Sequence, residues 1–107
     1  MQKRIYLLST LLPVLGFLFA TPAISAEADL VKAEKVYKRS CATCHGKQGE
    51  KPAMGESKII NQLKPEEIST ALSERKAGNI TSAGSPAKQR LSEQDIHNLS
   101  EYIQTLK

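Results

Sequence analysis

Residues 41–45 read Cys-Ala-Thr-Cys-His, and these two cysteines are the only ones in the chain. This pentapeptide restricts the available folds more than any other feature. Two thiols three positions apart cannot build the disulfide framework that holds many small secreted domains. A bridge between Cys41 and Cys44 would close a very small loop and stabilise little. Yet the chain has only 107 residues, 5 % of them aromatic and none of them tryptophan. A domain of that size has a thin core and commonly needs a staple or a cofactor. The composition excludes collagen-like, coiled-coil and disulfide-rich classes.

The part available for folding is shorter still. Lys3 and Arg4 precede an apolar run from Ile5 to Ala20, and mostly small residues follow from Thr21 to Ala26. A charged start, an apolar middle and a small-residue end describe a secretory signal. The apolar run is about 16 residues long, short of the roughly 20 that a spanning helix needs. Pro13 and Gly16 also weaken it as a long helix. An uncleaved membrane anchor is the rival reading. The small-x-small rule puts the cut in the region Ser25 to Ala28, so residues 1–26 are read as a leader and 27–107 as one domain. That domain holds 13 Lys+Arg and 11 Asp+Glu, because Lys3 and Arg4 account for two of the four net positive charges. A net of +2 is no nucleic-acid footprint and is compatible with a mild preference for acidic partners.

Periodicity predicts three or four helices and no strand. Leu30, Ala33, Val36 and Tyr37 recur at helical spacing over about Leu30 to Arg39, with Asp29 as N-cap. Gly46, Gly49, Pro52 and Gly55 mark a loop, and Lys58 to Asn61 reads as a helical turn. Pro65 suits a first helical position, Glu66 and Glu67 favour the positive end of the helix dipole, and Gly78 suits a left-handed terminator. Leu63 with Ile68, and Leu91 with Ile96, are spaced as hydrophobic staples. Ile68, Ala71 and Leu72 line one face of that helix. Asn79 to Pro86 reads as loop. Ser92 and Asp95 then form a capping-box pattern ahead of an Ile96, Leu99, Ile103, Leu106 stripe, with Tyr102 beside it.

Cys41, Cys44 and His45 carry the chemistry. Cys-x-x-Cys-His is the attachment pattern of c-type haem. Two thiols add across two porphyrin vinyl groups, and the histidine directly after them is held where a ring nitrogen can bind the iron. The large apolar group also supplies core to an aromatic-poor chain. The rival readings fit less well. A thioredoxin-type redox pair sits near a βαβ unit, and no strand pattern is present. A zinc site wants four ligands, and beyond Cys41, Cys44 and His45 only His97 remains.

With these residues in view, the chain resembles the class I c-type cytochromes of the short bacterial periplasmic kind. The resemblance rests on Tyr37-Lys38-Arg39-Ser40-Cys41-Ala42-Thr43-Cys44-His45-Gly46, on the Gly/Pro loop after it, and on the helix from Leu91 to Leu106. It implies an all-α fold, a small cytochrome c fold of three to four helices around one covalent haem c. It also implies Cys41 and Cys44 as attachment points and His45 as axial iron ligand. Tyr37 and Tyr102 match the family's aromatics near the crossing of first and last helices; packing alone would place them there too. Pro52 matches the proline whose carbonyl accepts a hydrogen bond from the other nitrogen of the axial histidine, or is a turn proline.

The sequence departs from the family at the sixth iron ligand, usually a methionine in the loop before the last helix. Residues 78–88 contain no Met and no His, and the methionine position falls near Ala83 to Ser85. Met54 is reachable along the chain, but it follows Pro52 on the proximal side, where packing in the core is the expected role. His97 lies off the apolar stripe and should face solvent. Asn79 and the amine of Lys88 are the other candidates.

Two functions follow. The first is an electron-transfer protein, not an enzyme, that shuttles single electrons in the periplasm between membrane or periplasmic redox proteins. Lys38, Arg39, Lys47, Lys51 and Lys88 would ring the haem edge and steer it to acidic patches, or are simply solvated. The second is gas or ligand binding, or sensing, at an open sixth site with weak peroxidase-like activity. No distal His or Arg in residues 79–88 supports it. A non-haem thiol protein is a third, more distant reading.

Overall fold

The computed structural model describes residues 27–55 and 57–107, together with Pro13 and Gly16. The rest of the expected leader lies outside the described residues. Among the described residues the fold is all-helical, with α1 (Leu30–Ser40), α2 (Ala42–His45), α3 (Pro65–Lys76), α4 (Ser85–Gln89) and α5 (Glu93–Gln104). Short 3-10 turns at Ala53–Gly55 and Ile60–Gln62 punctuate the long connection between α2 and α3. No helix among the described residues is long and apolar enough to cross a membrane.

The caps fix the helix starts. The Asp29 carboxylate accepts from the Lys32 backbone N–H at 2.9 Å, and the Ser92 hydroxyl accepts from Asp95 N–H at 3.0 Å. Asp95 reciprocates by accepting from Ser92 N–H at 3.0 Å, which closes the capping box. Backbone bonds to Ser92 and the nearby Lys32 ammonium hold the Asp95 carboxyl below its ordinary pKa. The predicted terminator also forms: Gly78 takes φ 82°, and Asn79 N–H donates to Glu74 O at 3.0 Å just beyond it.

Helix α5 is the spine, packed against both α1 and α3. Its Ile96, Leu99 and Ile103 meet Ala33, Val36 and Tyr37 of α1 and Ile68 of α3 in one buried cluster. The Tyr37 and Tyr102 rings lie 5.6 Å apart at 55°, within the range of favourable tilted aromatic pairs. Buried Asn98 accepts from Asp29 N–H at 3.0 Å, tying the start of α1 to the middle of α5. Lys32 and Asp95 add an ion pair at 3.3 Å between the same helices.

Helix α4 begins inside a segment predicted as loop. Ser85 Oγ accepts from Ser82 N–H at 2.7 Å, and Ser85 N–H donates to Ser82 O at 3.0 Å. Pro86 then occupies the first turn, where its missing N–H leaves no bond unmade. The proline read as a breaker is a starter.

The core reaches the cysteine motif through one hydroxyl. Tyr37 is fully buried, and its OH donates to Gly46 O at 2.6 Å. Burial pushes this phenol up to about 12. Tyr37→Phe is expected to cost about 1 kcal/mol, the usual net worth of such a bond. Equilibrium denaturation of the two proteins checks this, and equal midpoints would contradict it.

Candidate cofactor site

Cys41 closes α1, its N–H donating to Tyr37 O at 2.8 Å. The chain then makes one further turn, α2, so that Cys41, Cys44 and His45 follow within two turns of buried Tyr37. Gly46 ends that turn at φ 84°, a left-handed conformation that glycine adopts without penalty. A Cβ there would stand 2.4 Å from the Glu50 carboxylate, whose Oε2 accepts from Gln48 N–H at 2.9 Å. His45 O accepts from Lys51 N–H at 2.9 Å and pins the loop that follows.

Cys41, Cys44 and His45 border one cleft of about 680 Å³, within the size range of cofactor pockets. Its floor is apolar, with Leu63, Leu72, Leu99 and Ile103 among its walls. Helix α3 explains why it exists. Ile68 is buried, but Ala71 and Leu72 on the same face are only half-buried and line the cleft. The apolar face of α3 therefore lacks a protein partner along part of its length. Within the described residues, buried His45 Nδ1 and Arg75 Nε have no hydrogen-bond partner. Burial lowers the His45 pKa, assisted by the positive charges of Lys88 and Arg75. Burial pushes the Cys41 thiol up to about 11. Two thiols, one imidazole and an unfilled apolar wall match what a covalently held porphyrin requires.

Comparison with known proteins agrees. Residues 28–103 match a family described as cytochrome C oxidase, cbb3-type, subunit III. Cytochrome c-553 of Helicobacter pylori is 41 % identical over 83 residues, covering 77 % of this chain and 86 % of that protein. Cytochrome c-554(547) of Halothiobacillus neapolitanus is 34 % identical over 91 residues, covering 74 % of this chain and 98 % of that protein. The chain belongs to the c-type cytochromes. Its family carries covalently bound haem c, and its relatives' names are those of electron-transfer proteins rather than enzymes.

The cytochrome's other candidate residues separate clearly. His97 is exposed and borders a shallow hollow between α3 and α5, away from the cleft. Asn79 is exposed, and its amide donates to the Glu74 carboxylate at 2.9 Å. Met54 lines the cleft from the 3-10 turn, at φ 58°, and against protein atoms alone it is 78 % exposed, so it is no part of the polypeptide core. Pro52 is exposed, and its carbonyl accepts from Gly55 N–H at 2.9 Å rather than from His45. That carbonyl is drawn into its own turn.

Of the lysines and arginines expected at the rim, Arg39, Lys47 and Lys51 are exposed, and Lys38 is exposed and bonded to Glu34. Lys88 differs. It is half-buried and lines the cleft. Burial, together with the neighbouring Arg75, holds its amine below the usual lysine range. Arg75 lines the cleft as well. In the sequence Arg75 simply suits the last turn of α3, where a cation favours the helix dipole. Its spacing from Ile68 and Leu72 (seven and three residues) puts it on the same helical face, and that periodicity was the available signal.

Proposed function

We propose that this cytochrome is exported, holds one haem through Cys41 and Cys44 with His45 as axial ligand, and passes single electrons between redox proteins outside the cytoplasm. The observation that carries the reading is the convergence of both thiols and the imidazole on a single apolar cleft.

Each thiol adds across one vinyl group. A C–S bond forms, the S–H hydrogen passes to the other vinyl carbon, and no oxidant is consumed. The haem iron alternates between ferric and ferrous states, and that one-electron change is the chemistry the group supplies. His45 reaches the cleft from a turn fixed on both sides by the Tyr37–Gly46 and Lys51–His45 bonds. Arg75 Nε, buried and without a partner among the described residues, fits a porphyrin carboxylate. The leucine and isoleucine walls exclude water from the ring faces. Exposed Arg39, Lys47 and Lys51 supply positive charge next to the motif, which suits acidic partner surfaces by steering encounter.

Intact mass of protein from the periplasmic fraction tests the reading. The expected result is a chain beginning between Ala26 and Asp29 and heavier than its polypeptide by one haem. A full-length chain, or one without the added mass, would overturn it.

A further inference from the structure

We propose that the amine of Lys88 is the sixth ligand of the haem iron. The inference rests on the haem reading above. Four observations carry it, and all concern the segment from Gly78 to α5.

First, residues 78–88 contain neither sulfur nor imidazole, so any strong ligand from this segment must be an amine or an amide. Asn79 is spoken for, its side chain bonded to Glu74 outside the cleft. Second, Lys88 enters the cleft from its own wall. Helix α4 is held by α3, whereas α2 with His45 is held by α1, and both Lys88 and His45 line the space between.

Third, the Lys88 side chain folds back one helical turn over Gly84. A Cβ on Gly84 would stand only 2.8 Å from Lys88 Nζ. The absence of a side chain at residue 84 therefore makes room for the amine, at the position where the resemblance places the family's methionine. Fourth, among the described residues no carboxylate pairs with the amine, so no protein ion pair there holds it away from the cleft; to bind iron it would give up one proton to solvent.

The arrangement makes Lys88 the reason a chain without a distal methionine need not have an open iron. It also separates the roles of two neighbouring residues. Arg75, beside it, keeps its charge at all working pH values and serves as a cation; Lys88 can serve as a donor.

The test uses the exported, haem-loaded full chain and three variants, Lys88→Ala, Lys88→Arg and Lys88→Met. Pyridine haemochrome spectra and intact mass first establish that each carries covalent haem. Ferric wild type should be low-spin by electron paramagnetic resonance and lack the near-infrared band of thioether ligation. Lys88→Ala should become high-spin and bind azide at least about tenfold more tightly, because a site held by the amine in nine-tenths of molecules leaves one-tenth competent. Lys88→Arg keeps the charge but cannot ligate, so it should behave like Lys88→Ala; a purely electrostatic role would leave it like wild type. Lys88→Met should gain the thioether band and a higher reduction potential.

Ferric wild type that is already high-spin overturns the proposal and returns the site to an open one, with no variant needed. A low-spin wild type unchanged in Lys88→Ala and Lys88→Arg also overturns it. So does a thioether band in wild type that Met54→Leu abolishes. Material without covalent haem overturns the preceding reading itself, and the mass measurement distinguishes that failure from the others.

Discussion

Replacing both Cys41 and Cys44 by alanine is expected to leave the chain largely unfolded as well as free of haem. The buried cluster contains eight side chains, one of them alanine, and beside it lies a cleft of about 680 Å³. At about 24 cal/mol per Å³, an enclosed void of that size would cost about 16 kcal/mol, and even a third of that matches the stability of a small domain. On the proposed reading, a haem in the cleft is part of the core, and the thioethers would keep it from being lost. Far-ultraviolet circular dichroism should show much less helix in the double variant, with no cooperative thermal transition. A variant as helical and cooperative as wild type would mean that the polypeptide core stands without its cofactor.

Leu99→Ala is expected to produce the largest effect of any single core truncation. Leu99 is 1 % exposed, belongs to the buried cluster and also forms part of the cleft wall. It therefore packs on protein and walls the proposed cofactor cleft at once. Truncation should cost about 3 kcal/mol, as buried leucines do when the surroundings cannot collapse. For a domain this small, that lowers the thermal midpoint by roughly 15 °C. Leu30→Ala is the control: Leu30 shares the apolar periodicity of α1 but is 42 % exposed, and it should shift stability by less than about 0.5 kcal/mol. Comparable losses in the two variants would show that Leu99 has no special place in the core.

These contrasts show what the sequence could and could not reveal. The capping roles of Asp29, Ser92 and Asp95 and the terminator role of Gly78 rest on bonds between residues within five positions, and Pro65 needs no bond at all, so these roles are local and legible. The two staples were legible for the same reason: Leu91 and Ile96 are both buried, and Leu63 packs against the cluster holding Ile68. The all-helical class followed from period alone. The misreadings are tertiary or conformational. Pro86 signals either a break or a beginning, and only the Ser82–Ser85 bonds decide between them. Met54 is expected in the core because it follows Pro52, and instead it lines the cleft outside the buried cluster. Lys88 has the composition of a surface residue, and its burial depends on α4, the very element that was not foreseen. The Cys-x-x-Cys-His motif is a pattern of spacing along the chain, whereas the cleft that its residues border draws on four separate helices, α2 to α5, and has no sequence signature.

The pairing of α1 with α5 sets the order in which this protein can be finished. Ala33, Val36 and Tyr37 find their partners at Ile96, Leu99 and Ile103, and Asp29 finds Asn98 sixty-nine positions away. A growing chain reaches those partners only after more than half of the domain has been made. Before that, the first helix has no neighbour to cover it, short isolated helices are marginal in water, and the turn carrying both thiols has nothing to close against. The topology thus delays the closure of the first helix until α5 has been made.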